Sequence, residues 1–160
     1  MNVKLLKLLS KNARLSDEEI AVMTGLNENE IHSEVAKMES EGLIRGYKAV
    51  VDWERVDHSS VSALIELKVT PKAGLGFEEV AMKVSKYPQV ESVYLMSGGF
   101  DLCVMVKGNS FQEVAMFVAK ELSTIDSVIS TATHFVLRRY KELDVELMSA
   151  SDDDREAVSL

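Results

Sequence analysis

Apolar residues recur at helical spacing through the first forty or so positions of this chain, then change rhythm near Val50. From Val3 to Leu9, the positions Leu5, Leu6, Leu8 and Leu9 fit a short amphipathic helix that ends before "KNARLS". "SDEE", Ser16 to Glu19, reads as a capping box that opens a second helix through Ile20, Ala21 and Met23, broken by Gly25. "NENE", Asn27 to Glu30, repeats the capping logic, and Ile31, Val35 and Met38 recur at i, i+4 and i+7 as one buried stripe. "EGLIRGYKAVVDW" then begins with a Gly42 helix stop and continues with β-rich Val50, Val51 and Trp53, as a wing or an extended linker.

The second half alternates between strand and helix periods. Val61 to Val69 predicts a strand with Ala63, Ile65, Leu67 and Val69 on one face. Phe77, Val80, Ala81 and Val84 mark a helix stopped by Pro88, and Val90 to Met96 and Phe100 to Val106 are two strands joined across "SGG". Ser110 and Glu113 cap a helix with Phe111, Val114, Ala115, Val118 and Leu122 inward, and Val128 to Tyr140 supplies a last, long strand. The order β-α-β-β-α-β is the split βαβ, ferredoxin-like pattern, an antiparallel sheet with two helices on one face. Nothing remains in a chain of 160 residues to cover the other face, so a second copy of the sheet is expected there. The fold class is therefore α+β, with helices 1–47, a hinge strand or linker 48–60, a sheet domain 61–146, and an acidic tail 147–160 that lacks periodicity and is expected to be disordered.

Charge complicates a nucleic-acid reading. The net charge is -8, but residues 1–50 hold seven basic and eight acidic side chains, so the N-terminal part is close to neutral. No apolar run is long enough to span a membrane, and Met1 to Leu9 alternates lysine with leucine instead of forming a signal-peptide core, so a cytoplasmic location is expected. The single cysteine, Cys103, lies in the apolar run "LCVMV" and reads as a small buried hydrophobe in a reducing compartment. His32, His58 and His134 fall in three different elements without metal-ligand spacing, and no cofactor is expected. "AGLG", Ala73 to Gly76, lacks the strand context and lysine of a phosphate loop.

Ile20 and Ala21 in one helix, Gly25 at the turn, and Ile31 and Val35 in the next occupy the positions a helix-turn-helix needs; the alternative is an αα-hairpin used only for packing. The segment "NARLSDEEIAVMTGLNENEIHSEVAKMESEGLIRGYKAVVDW" resembles the N-terminal domain of the Lrp/AsnC family of leucine- and asparagine-responsive regulators. "VESVYLMSGGFDLCVMVKG" and "STATHFVLRRYKE" resemble its effector domain. The resemblance covers about residues 1–146, with both halves in the right order. It implies a transcription regulator and no enzyme: a winged helix-turn-helix, a hinge strand, and an ACT-like βαββαβ domain that dimerises, often assembles further to tetramers or octamers, and binds small molecules, commonly amino acids.

One departure bears on DNA contact. The family often places two adjacent arginines where this chain has Ser33 and Glu34. Contacts to bases or phosphates are instead expected from Asn27, Asn29, His32, Ser33 and Lys37, with Arg14, Arg45, Tyr47 and Lys48 as flanking phosphate contacts. Glu28 and Glu30 sit in the first helical turn, where negative charge is favoured. "SGGFD" reads either as a hairpin turn or as a ligand loop. In the second reading the N–H groups of Gly98 and Gly99 donate to a carboxylate and Asp101 pairs with an ammonium, with Ser97 and Phe100 beside the ligand. In the family this loop and the strand matching Thr133, His134 and Phe135 border the effector site, and Leu95, Phe100 and Phe135 would then supply an apolar wall. Two other functions compete: an effector-binding or hetero-oligomer partner with weak or silent DNA binding, and an enzyme like the haem-pathway decarboxylases. The second wants several basic clamps where only Arg138 and Arg139 are adjacent.

Overall fold

The computed structural model describes residues 2–56, 59–71 and 76–147; His58, most of "AGLG" and the tail from residue 148 lie outside the described residues. The chain divides into two compact units. One comprises residues up to Val51 together with Lys141–Glu146, and the other is built from Asp52–Tyr140. No helix among the described residues is long and apolar enough to cross a membrane.

The N-terminal unit is set by its caps. α1, Val3–Lys11, opens on Asn2, whose side chain accepts the Leu5 N–H. α2, Asp17–Thr24, opens on a reciprocal box. Ser16 Oγ accepts the Glu19 N–H at 3.1 Å, and the Glu19 carboxylate accepts the Ser16 N–H at 2.8 Å. α3, Glu28–Ser40, repeats the device with Asn27 and Glu30 at 2.9 and 3.1 Å. Gly25 ends α2 at φ 77°, a left-handed conformation that a side chain disfavours, so the turn between the two helices depends on glycine. α3 closes with the paired bonds of a Schellman motif: Leu43 N–H to Met38 O at 2.9 Å and Gly42 N–H to Glu39 O at 3.0 Å. The core beneath is Leu5, Ile20, Ile31 and Met38, with Leu6, Leu8, Leu9, Val35 and Ile44 packed partly against it. After Gly42, residues 45–52 join no ladder, and the chain then closes into a 3-10 turn at Trp53–Arg55.

The second unit is the expected βαββαβ. Its strands are β1 Val61–Val69, β2 Val90–Leu95, β3 Leu102–Gly108 and β4 Val128–Phe135, hydrogen-bonded in the order β2-β3-β1-β4, all antiparallel. α4, Glu78–Val84, and α5, Phe111–Phe117, supply the apolar side chains of the helix layer. Ala63, Ile65, Leu67, Leu102, Val104 and Val106 are fully buried against Val80, Val84, Val114 and Leu122. β3 comes close to α5 because Gly108 has no side chain: a Cβ there would lie 2.9 Å from Val114 Cγ2.

Three expectations need correction. Phe111 and Ala115 do not face inward. Phe111, in the first turn of α5, is 56% exposed and stacks edge-on to Phe135 at 4.8 Å, while Phe117 at the other end of the helix is buried beside Val118, where a π-helical turn, Val118–Leu122, continues the chain. The last strand ends at Phe135, five residues short of Tyr140. The residues beyond it form a hairpin, β5 Lys141–Glu142 and β6 Val145–Glu146, that clusters with the N-terminal unit and not with the sheet domain. Its turn holds Leu143 and Asp144 at φ 45° and 68°, with Lys141 Nζ on Asp144 Oδ1 at 2.6 Å. No glycine marks it, so the sequence does not announce it.

Candidate DNA interface and ligand site

At about 100° per residue, the buried stripe Ile31, Val35 and Met38 fixes which side of α3 looks outward. Asn29, Ser33, Ala36 and Ser40 lie within about 50° of the opposite direction, and all four are exposed. The outward ridge of this acidic helix is thus uncharged. His32 and Lys37 flank it, and the glutamates fall on the two shoulders. Two of them are already engaged: Glu30 in the cap of its own helix, and Glu39 as acceptor of the Tyr47 hydroxyl at 2.9 Å. Glu34 is half-buried. Burial, then the hydrogen bond and charge of Glu39, raise the Tyr47 hydroxyl above the ordinary tyrosine range, so it remains a neutral donor. His32 Nδ1 lies 3.8 Å from Asp17 Oδ2 on α2.

The expected DNA-contact residues fall into three groups. Asn27, Asn29 and Ser33 line one shallow depression at the start of α3, with Asn27 Oδ1 committed to the cap. Arg45, Tyr47 and Lys48 line a groove together with α1. Arg14 stands exposed in the loop between α1 and α2. Sequence reasoning missed Ala36 and Ser40 on the ridge, which only the helical phase reveals.

The ligand-site residues divide by sheet register. In the row Leu95, Leu102, Leu67, Thr131, Leu95 sits on one edge strand; Phe135 ends the row Val90, Val106, Ala63, Phe135 on the opposite edge, four residues along. Three strand spacings and four residues of rise separate Leu95 from Phe135 by about 20 Å, so within one chain they do not form one wall. Thr133 and Phe135 share the helix-facing side with Ile65 and Ala63, whereas His134 points to the other face, with Nε2 3.2 Å from Glu66 Oε1. Ser97, Gly98 and Gly99 are exposed, Phe100 is half-buried, and Gly98 has φ 145°, a conformation essentially confined to glycine.

Asp101 has a structural task. Its Oδ2 accepts the Val69 N–H at 2.7 Å, where the β1–β4 register slips between Lys68 and Val69. Its own N–H donates to Leu67 O at 3.0 Å, and its carbonyl accepts the Met96 N–H at 2.8 Å. Removing the carboxylate orphans a part-buried donor at a bulge, which costs about 1–3 kcal/mol. Asp101→Ala is therefore expected to lower the melting temperature of the ligand-free protein in a thermal-unfolding scan, while Ser97→Ala leaves it within a degree or so of the parent.

The sheet face away from the helices carries Leu64, Tyr94, Met105 and Ala132 around Glu66, Cys103 and His134. Burial, then the Glu66 charge, pushes the Cys103 thiol up, which makes it a poor thiolate. At one end of this face Lys107 Nζ lies 4.2 Å from the Trp53 ring centroid. Arg139 donates its backbone N–H to Glu54 at 2.9 Å and its guanidinium to Ser62 Oγ, so it is committed to holding the turn at Trp53 and is not poised as a ligand clamp.

Residues 62–145 match the Lrp/AsnC ligand binding domain, and residues 2–45 a winged helix-turn-helix DNA-binding domain. The chain is 47% identical to the HTH-type transcriptional regulator YugG of Bacillus subtilis over 97% of its own length and 93% of that protein. It is 33% identical to the regulator FL11 of Pyrococcus horikoshii over 87% and 89%. A transcriptional regulator of Neisseria meningitidis, crystallised as a complex with L-Met, shares the fold with a TM-score of 0.69 at 24% identity, covering 88% of this chain and 90% of that one. These relatives are regulators and not enzymes, which sets aside the decarboxylase-like reading. A helix-turn-helix unit with an accessible ridge and a separate ligand-binding sheet domain make one kind of molecule: the chain belongs to the Lrp/AsnC family of ligand-responsive, DNA-binding transcriptional regulators.

Proposed function

We propose that this regulator acts in the cytoplasm as a homodimer or a higher assembly of dimers. In this reading it binds DNA through the α3 ridge and responds to an α-amino acid, controlling amino-acid or related metabolism. The uncharged ridge of Asn29, Ser33 and Ser40, flanked by His32 and Lys37, carries the DNA reading: it can enter a major groove without setting a carboxylate against phosphate. Asn27 supports the start of the helix, and Arg14, Arg45 and Lys48 supply phosphate contacts; Tyr47 contributes by holding Glu39. Assembly through the outer sheet face would place two such helices about 34–36 Å apart, one turn of DNA.

For the ligand, the loop Ser97–Asp101 supplies N–H donors and Leu95 and Phe100 the adjoining apolar surface, with Asp101 facing the ammonium through whatever acceptor capacity Val69 leaves. An amino acid held against Leu95 cannot also reach Phe135, about 20 Å away across the same sheet, or Thr133 and His134 on that same far strand. We therefore assign those three to a second copy that closes over the loop. The L-Met complex of the Neisseria meningitidis regulator supports an amino acid as the class of ligand. The expected coupling is modest, on the order of 1–3 kcal/mol.

The test is a mobility-shift titration of the full chain on the DNA upstream of its own gene, with each of the twenty amino acids in turn. A saturable shift that at least one amino acid changes several-fold supports the reading. A shift that no amino acid moves leaves DNA binding and removes the ligand assignment, and the absence of any shift at micromolar protein removes the DNA role of α3.

A further inference from the structure

The N-terminal unit contains a groove of about 570 Å³ between α1, the chain that follows α3 and the β5–β6 turn. Leu6, Leu9, Leu43 and Leu143 give it an apolar lining, and Arg45 and Lys48 stand among its lining residues, which include no carboxylate. In a chain of net charge -8 this is an unusual combination: an apolar trough with two cations and no acid. Tyr47 also lines it, with its hydroxyl turned to Glu39, so the remaining polar side chains of the lining are cationic apart from Ser10. The volume lies in the range of small-molecule sites, which are mostly apolar with a few convergent polar groups.

We propose that this groove binds an amphiphilic monocarboxylate, an unbranched or branched apolar acid. Its chain lies along Leu6, Leu9 and Leu43, and its carboxylate lies between Arg45 and Lys48. Charge complementarity selects the class. A carboxylate gains two charge-assisted partners there, and an apolar chain removes exposed leucine surface from water. An α-amino acid is disfavoured, because its ammonium would face two cations without an acid to receive it. The site is therefore distinct in chemistry from the amino-acid site proposed for the sheet domain. Because Arg45 and Lys48 are also the proposed phosphate contacts, an acid bound here competes with DNA for the same two charges. That consequence rests on the DNA reading, whereas binding itself does not.

The test is calorimetric titration of the full chain with decanoate, without DNA, beside acetate and decyltrimethylammonium as controls for charge without chain and chain with the opposite charge. Decanoate is expected to saturate one site per chain at or below roughly 1 mM, and both controls to give no saturable signal. Leu43→Glu should weaken decanoate at least about tenfold, and Lys48→Gln several-fold. Leu43 is 48% exposed, so its substitution spares the core, and Leu143→Glu at a 77% exposed turn provides a second variant with the same expected loss. Non-saturable decanoate heat, equal binding of the cationic analogue, or binding unchanged in both glutamate variants overturns the proposal. So does a drop in sedimenting mass of Leu43→Glu with no decanoate binding by the parent, which would make the groove a contact between copies. Saturable decanoate binding without any effect on a DNA shift would keep the site and remove only its competition with phosphate.

Discussion

Met105→Asp is expected to convert the assembled protein into monomers at micromolar concentration, weakening association at least about hundredfold, or about 3 kcal/mol. Met105 lies on a central strand, paired directly with Leu64 on the face turned away from α4 and α5, and both are partly exposed in the single chain. An aspartate there remains solvated in the monomer, so the fold should tolerate it. Against a second sheet the same carboxylate loses its water, and a two-fold interface places a second one near it. Sedimentation of the full chain reads the mass, and circular dichroism checks that the fold persists. An unchanged assembly mass would mean that this face is not the interface, and the apolar surface of Leu64, Tyr94 and Met105 would need another cover.

Ser33→Glu is the second large effect: a loss of DNA affinity of at least about hundredfold at low salt, with folding unchanged because the side chain is exposed. Ser33 stands near the middle of the outward ridge, so a carboxylate there faces the groove. The existing glutamates sit on the shoulders or are spent on a cap and on Tyr47. Glu28→Gln, on a shoulder, should change affinity less than about threefold. Fluorescence anisotropy on a labelled duplex across a salt series separates the two variants. Equal affinities for Ser33→Glu and the parent would show that α3 does not present this ridge to DNA.

The two variants probe surfaces that were legible to very different degrees. The α3 stripe Ile31, Val35 and Met38 could be read directly, and the helix phase then follows from 3.6 residues per turn. The neutral ridge was implicit in the sequence although the count of glutamates concealed it. The caps Ser16 with Glu19 and Asn27 with Glu30 were equally legible, since each is a contact between residues three apart. The ligand site was not. "SGGFD" and "TATHF" each have ligand-like chemistry, but which strand lies beside which is a long-range matter, and the order β2-β3-β1-β4 puts Leu95, which leads into the first, and the strand of the second on opposite edges.

The sequence by itself determined the local elements, the caps, the βαββαβ order and the alternating faces of β1 and β3, because each follows from spacings of two to four residues along one backbone. Only the tertiary structure decided that Asp101 serves Val69 thirty-two residues away, that Phe117 is buried while Phe111 stays outside the core against Phe135, and that the glycine-free Leu143–Asp144 turn sends a hairpin to the N-terminal unit. These three depend on where another part of the chain arrives: a donor at a register slip, an edge-strand ring that meets Phe111, and a unit that gathers residues from both ends of the sequence. No periodicity within a short window contains that information.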